Sequence, residues 1–286
     1  ADAVADNVHV VVRALRSRRR RITVQDLHDW HRDLMGGDRR FSPEVVGAFR
    51  LAQSWIGGTS PRDAALVPPP AELVADLMDD LIAFVNDDSL DPVTQAAVAH
   101  AQFECLHPYA DGNGRIGRVL FGWVLTHRLG IELPPPISVF IARDPGGYLS
   151  GLTLFRLGHL DAWVEWVSKA LVRAGEAVTA VVTKSEEVQG QWRLRLEGLR
   201  DDSSAHQIIG LLAEHPVVTS ALVANRLGVA ERSARGALNV LATHGIVEPH
   251  SRTPSGPGRP RRYWVSRELL ELVSGWPGAE TPTPLQ

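Results

Sequence analysis

A mainly α protein in two parts is what the sequence predicts, and three observations carry that expectation. Apolar residues recur at helical spacing through almost all of residues 1–185, where only Ile137–Ile141 looks like a strand. Residues 203–265 change character, with three short helical stretches, tight turns and then two strand-like pieces. Charge divides along the same line: residues 203–265 carry a net +4, residues 266–286 carry -2 and residues 1–202 carry -5, within a total of -3.

Taken in order, Asn7–Leu15 is an apolar helical stretch that runs into Arg16, Arg18, Arg19, Arg20 and Arg21. That run is either an anion-binding patch or a solvated helix end whose cations favour the negative pole of the helix dipole. Thr23 is the expected cap of the next helix, ahead of Val24-Gln25-Asp26-Leu27. Between Val45 and Pro70 the helical signal lapses, and Trp55-Ile56 before Gly57-Gly58 predicts a short hairpin. Helices resume at Ala71–Val85, with Leu73, Leu77, Leu81 and Val85 on one stripe, and at Pro92–Leu106. Another runs from about Gly114 to Leu129, with Ile116, Leu120 and Trp123 on one face, before Pro134-Pro135-Pro136. Helices at Tyr148–Phe155 and Leu160–Gln189 follow, so residues 1–185 form one expected domain and 186–202 a helical linker.

In the rear, Ala205–Glu214, Thr219–Leu227 and Glu231–Thr243 are joined by short turns. Ile246-Val247, a loop over Pro249–Arg262 and Tyr263–Val265 then complete a winged-helix pattern over residues 203–268. Residues 269–286 read as a tail whose proline-rich end predicts disorder.

Composition excludes several classes. At 286 residues and 44% hydrophobic, the chain is not disordered over most of its length. No apolar run approaches the ~20 residues of a membrane-spanning helix, and the N-terminus lacks the regions of a signal peptide, so a soluble, cytoplasmic protein is expected. The single cysteine, Cys105, excludes an intrachain disulfide and a multi-cysteine metal site. The chain opens at Ala1 without a methionine, which reads as a trimmed N-terminus.

The densest chemistry is His107-Pro108-Tyr109-Ala110-Asp111-Gly112-Asn113-Gly114-Arg115-Ile116-Gly117-Arg118. Its Gly112-to-Gly117 portion satisfies G-x-G-x-x-G, yet a dinucleotide fold needs a strand where Pro92–Leu106 is helical. A protein kinase needs a strand lysine after the loop, and the first lysine here is Lys169. His31-Arg32-Asp33 precedes the glycines and reads as a chance match to the kinase catalytic loop. A third reading uses all twelve residues. The amides of Gly112, Asn113 and Gly114, at the head of a helix, make a nest for phosphate oxygens. Arg115 and Arg118, three apart, can clamp outer phosphates, while Asp111 suits Mg²⁺ carried by those phosphates. His107 can serve as a general base near neutral pH. Together these residues point to phosphoryl or nucleotidyl transfer. His100, two turns before His107, is either a core histidine or a residue that orients it. Cys105, Trp163 and Trp166 read as core.

The run resembles the Fic family motif H-x-F-x-[DE]-G-N-G-R-x-x-R, with Tyr109 in place of phenylalanine. Gly47-Ala48-Phe49-Arg50 and Trp55-Ile56-Gly57-Gly58 look like the family's flap, and Tyr148 and Leu152 like its nucleotide-lining helix. The resemblance runs from about Val8 to Leu171 and implies a Fic-type helical core with a short β-hairpin flap, followed by the small winged-helix domain. It also implies transfer of AMP from ATP, with Mg²⁺, to a serine, threonine or tyrosine hydroxyl of a target protein. In the implied roles His107 is the base and Asp111 holds the metal. Gly112, Asn113, Gly114, Arg115, Arg118 and Tyr148 bind ATP, and Ile56, Gly57, Gly58 and Thr59 align the target. The family's inhibitory pattern [ST]-x-x-x-E-[GN] is absent: Thr183–Glu187 is followed by Val188, and Glu197-Gly198 has Arg193 in place of the hydroxyl residue. In relatives of this architecture that pattern lies upstream of where the chain begins, so the resemblance implies release from autoinhibition.

For the rear part, Arg232 and Arg235 on the third helix, with Arg259, Arg261 and Arg262 in the wing, make DNA one expected partner. Docking of a protein is the alternative, and a homodimer is compatible with either. A regulator that binds DNA and only senses nucleotide remains the second functional reading.

Overall fold

The computed structural model describes residues 2–200, 203–252 and 261–274, and it divides into two compact units, Ala1–Ala174 and Gly175–Gln286. The helices of the first are α1 Asp2–Ser17, α2 Val24–Met35, α3 Val74–Val85, α4 Pro92–Leu106, α5 Asn113–Leu129, α6 Ile137–Arg143, α7 Pro145–Arg156, and the start of α8, which runs from Leu160 to Arg195. Thr23 caps α2 in a capping box, accepting from the Asp26 N–H while the Asp26 carboxylate accepts from the Thr23 N–H.

Helices α4 and α5 form the centre. Ala96, Ala97, Ala99 and Ala101 on α4 are buried, as are Ile116, Leu120, Trp123 and Val124 on α5. The small α4 side chains let the two axes approach closely, and Phe103, Phe121, Trp30 and Trp163 fill the surrounding space. Gln95, also buried, donates to the Phe84 and Asp87 carbonyls at 2.8 and 2.6 Å, satisfying carbonyls at the end of α3.

Several expectations need correction. The buried stripe of α3 is Val74, Met78, Leu81 and Val85, whereas Leu73 is 48% exposed. Ala71–Leu73 forms a 3-10 turn before the α-helix, and that change of winding shifts the phase of the stripe. Ile137–Ile141 is not a strand but the body of α6; its apolar run packs against the core as one helical side. α5 ends at Gly130, in the left-handed region at φ 66°, before the prolines are reached. The flap between α2 and α3 holds a single antiparallel bridge, Ile56 to Leu66, rather than paired strands.

The second unit takes in the end of α8, then α9 Ser204–Glu214, β1 Val217–Val218, α10 Ser220–Leu227, α11 Glu231–Thr243, β2 Glu248–Arg252, β3 Arg261–Val265 and α12 Arg267–Ser274. The strands form an antiparallel sheet in the order β1-β3-β2. Trp192, Ile208, Leu212, Leu238, Leu241 and Trp264 make its core. The first hairpin strand is Glu248–Arg252 rather than Ile246-Val247, two residues that are buried beneath it. β1 and α12 were absent from the sequence reading: a two-residue strand is too short for alternation to show, and residues 269–274 continue as helix because Leu269 and Leu272 pack on the core. The expected disordered end, residues 275–286, lies outside the described residues.

Candidate active site

His107 closes α4. Its backbone is left-handed, φ 46° and ψ 58°, which turns the chain out of the helix and into the loop that leads to α5. It is the one non-glycine residue with positive φ among the described residues. The strain is held from outside by Arg50, a buried arginine 57 positions earlier. Arg50 donates to the carbonyls of His107 (2.9 Å), Ala52 (3.0 Å) and Pro69 (2.6 Å), and its own N–H bonds the Pro108 carbonyl at 2.8 Å. One guanidinium therefore ties the His107 turn to both ends of the flap.

A histidine also supports the loop from beneath. His31 Nδ1 accepts the Gly47 N–H at 2.8 Å, so the ring proton resides on Nε2, which donates to the Asp111 carbonyl at 3.0 Å. Burial holds His31 below its usual pKa and keeps this neutral tautomer. Tyr109 stacks on His31 at 4.0 Å, and its hydroxyl meets His28 Nδ1 at 3.1 Å. Asn113 is fully committed to the loop: its Oδ1 accepts from the Tyr109 N–H and its Nδ2 donates to the Tyr109 carbonyl, both at 2.8 Å. What this residue offers an anion is its backbone N–H.

Gly112, at φ 80°, is the cap of α5. A Cβ there would stand 3.2 Å from Met35 Sδ, so the residue is fixed by packing as well as by backbone. The Arg115 and Ile116 amides turn back to the Gly112 carbonyl, leaving the Asn113 and Gly114 N–H groups outside the helical ladder. Asp111 Oδ1 accepts from the Gly112 N–H at 2.6 Å, and Asp111 Oδ2 lies 3.4 Å from Arg40. Arg115 is 4.0 Å from Asp111 and touches Met35 Sδ at 3.1 Å. Arg118 has no carboxylate within 4 Å among the described residues. A cavity of about 450 Å³ opens at Arg115 and Arg118, bounded by Val11, Val119 and Pro134–Ile137. Burial pushes the half-buried His107 ring below its ordinary pKa, reinforced by Arg50 and opposed by the Glu104 carbonyl and Asp111. The ring is thus neutral and able to accept a proton at neutral pH.

His100 does not reach His107. Its Nε2 meets the Tyr148 hydroxyl at 3.0 Å, linking α4 to α7, and its Nδ1 stands 3.9 Å from Glu104. Burial holds the His100 imidazole down at about 4 and pushes the Glu104 carboxyl up to about 7, against the pull of Arg118. The two groups have opposite linkage. His100, depressed on folding, contributes stability that is lost as pH falls below about 6.5. Glu104, raised on folding, contributes stability that is lost as pH rises from about 4.5 through 7. Each slope is about 1.4 kcal/mol per pH unit, so over pH 5 to 6.5 they offset. Relative to wild type, Glu104→Gln should lose about 2 kcal/mol between pH 7 and 5, and His100→Asn should gain as much over the same interval. Urea unfolding at the two pH values checks this; parallel curves for all three proteins would refute it.

The flap residues Ile56, Gly57, Gly58 and Thr59 form the bridge and the turn beyond it, with both glycines at φ 70°. Asp63 holds the turn by accepting from the Thr59 and Ser60 N–H groups at 2.9 and 2.7 Å. In the rear unit, Arg232 and Arg235 are exposed on α11, where Arg235 pairs with Glu231 at 3.3 Å. Arg261 begins β3, Arg262 lies over the Trp264 ring at 5.1 Å, and Arg259 lies outside the described residues.

A glycine-rich turn joins two central helices, with histidine before it, a carboxylate within it and arginines after it, at the head of α5. Residues 21–125 match the Fic/DOC family model. Protein adenylyltransferase fic-1 of Caenorhabditis elegans is 30% identical over 151 residues, 52% of this chain and 27% of the relative. Protein adenylyltransferase Fic of Drosophila virilis is 32% identical over 150 residues, 51% of this chain and 28% of its own. The chain therefore spans about a quarter of the length of these curated relatives. A crystal structure of a Fic family protein from Desulfovibrio desulfuricans G20 covers 93% of this chain and 76% of its own at 20% identity, with a TM-score of 0.54, a likeness of fold.

Sequence patterning gives His31 no site role and places Arg50 only in the flap-like stretch Gly47–Arg50. The signal for Arg50 was present, an arginine in an otherwise apolar Ala-Phe-Arg-Leu stretch. His31 gave none, because its partners lie 16 and 80 positions away.

Proposed function

We propose that the front unit transfers AMP from ATP to a hydroxyl group of a target protein. The observation that carries this is the single loop that sets a neutral His107 and an Asp111 carboxylate beside the Asn113 and Gly114 amides at the head of α5 and beside Arg118, which has no carboxylate partner among the described residues. The target hydroxyl loses its proton to His107 as its oxygen attacks the α-phosphorus; the bond to the β-phosphate oxygen breaks and pyrophosphate leaves. The Asn113 and Gly114 amides stabilise charge on the α-phosphate, and Arg115 and Arg118 hold the phosphates that depart. Tyr148 lines the nucleotide, and residues 56–59 of the flap align the target by main-chain pairing.

The donor set suits Mg²⁺ that arrives with the nucleotide, since this small cation is held by one or two carboxylates together with phosphates. Among the described residues no cluster of three or more His, Cys, Asp or Glu could hold a metal by itself. Asp111 would be the protein ligand, and bound magnesium would polarise the phosphoryl oxygens.

Incubation with ATP labelled at the α- or the γ-phosphate tests the reading. Retention of the α-label alone on protein supports AMP transfer. Retention of the γ-label indicates phosphorylation, and retention of neither favours the regulator that senses nucleotide without turnover.

For the rear unit we propose a winged-helix module that docks on DNA. Its α11 exposes Arg232, Ser233, Arg235, Gly236 and Asn239 on one side. Nothing stands within 4 Å of where a Gly236 Cβ would be, so a second backbone can approach the helix there. A gel shift with mixed genomic fragments at low salt should show retardation that Arg232→Ala/Arg235→Ala weakens. Absence of any shift would leave protein docking as the role of the module. No helix among the described residues is long and apolar enough to cross a membrane.

A further inference from the structure

Helix α5 has a slot on the side facing α4. Gly114 and Gly117, three positions apart, share that face, and the Glu104 carboxyl occupies the slot between them. A Cβ at Gly117 would overlap Glu104 Oε1 and stand 3.1 Å from Phe103 and 3.2 Å from His100 Nδ1. A Cβ at Gly114 would stand 3.9 Å from Glu104 Oε1 on one side and 3.3 Å from Arg118 Nη1 on the other. The carboxyl and the guanidinium therefore flank the first turn of α5 without bonding to each other. Glu104 Oε1 is buried without a hydrogen-bond partner, as is His100 Nδ1 at 3.9 Å. A buried carboxyl oxygen without a partner beside Arg118 is a cost with no structural return in the free protein.

We propose that Glu104 is a positioning residue for Arg118, taking up a proton when a nucleoside triphosphate engages that arginine and releasing it when the phosphates leave. This rests on the triphosphate being the ligand of the α5 site. In the free protein the Arg118 guanidinium favours the ionised form of the carboxyl, against its burial. Once Arg118 neutralises phosphate, that support is withdrawn and new negative charge stands nearby, so the carboxyl binds a proton from the buffer. The other groups that face it do not supply a replacement charge. On α4, His100 is neutral at pH 7 and Cys105 is a thiol whose pKa burial raises; on α7, Tyr148 is an uncharged phenol. By reciprocity, a neutral Glu104 frees Arg118 for phosphate, and an ionised one competes for it.

The test is calorimetric titration of the full chain with the magnesium complex of α,β-methylene-ATP at pH 7, in buffers of different ionisation enthalpy. Wild type should take up a fraction of a proton per nucleotide bound, and Glu104→Gln should take up less by that fraction. Across pH 6 to 8 wild type should lose affinity by about fivefold more than Glu104→Gln, the part of a one-unit shift at one group that falls in that range. Glu104→Met, an uncharged chain of similar length, serves where the amide disturbs the slot. Equal proton uptake in wild type and both variants would overturn the proposal by assigning the proton to His107 or the ligand. Loss of binding at every pH in both variants would also overturn it, by showing that the carboxylate itself is needed. If wild type binds no nucleotide at any pH, the reading of the site as a triphosphate site fails first, a result distinguishable from either.

Discussion

Transfer of AMP by His107→Ala should fall by about a thousandfold, within the range that a positioned general base supplies. Alanine alone leaves that result open to a second explanation, because position 107 is left-handed, a region that histidine and asparagine occupy several-fold more readily than alanine. His107→Asn separates the two. Asparagine tolerates the left-handed region better than other side chains but cannot act as a base near neutral pH. The asparagine variant should keep the wild-type unfolding midpoint and still lose the activity, measured as α-labelled AMP on protein. A variant that transfers AMP at the wild-type rate would remove His107 from the chemistry.

The second large effect is expected 57 positions away. Arg50→Met should destabilise the front unit by about 3 kcal/mol and depress transfer with it, because four carbonyls of the His107 turn and the flap, those of Leu106, His107, Ala52 and Pro69, lose a charged donor together. Methionine keeps the length and apolar contact of the arginine stem, so the loss reports the hydrogen bonds. Arg50→Lys should recover less than half of the stability, since an ammonium cannot present the planar fork that reaches His107, Ala52 and Pro69 at once. Urea unfolding and the labelling assay check both statements. Wild-type stability in Arg50→Met would show that water replaces the guanidinium without penalty.

These two variants also mark what was legible in the sequence. The twelve residues from His107 to Arg118 could be read because their chemistry is local: the turn, the helix head and both arginines are contiguous. The supports of that loop are not. His31 matches a kinase signature by chance, yet it carries the loop because α2 brings it under Asp111. His100, weighed as an orienter of His107, turned instead to Tyr148 across the core. Helices were legible wherever caps and spacing agreed, as at Thr23 and from Pro92 to Leu106. Five apolar residues at Ile137–Ile141 were too few to separate a strand from a buried helix, and tertiary packing decided for helix. The phase error at Leu73 has the same origin, one 3-10 turn that sequence periodicity does not register.

The hydrogen bonds that Asn113, His31 and Arg50 direct at the segment from His107 to Asn113 have a thermodynamic consequence for ligand capture. Ordering a residue's backbone forfeits roughly 1–2 kcal/mol of conformational freedom, and a floppy phosphate loop would forfeit it at the moment of encounter. Here that freedom is already surrendered during folding, so under the proposed function the entropy lost on association would fall mainly on the nucleotide and on the side chains of Arg115 and Arg118.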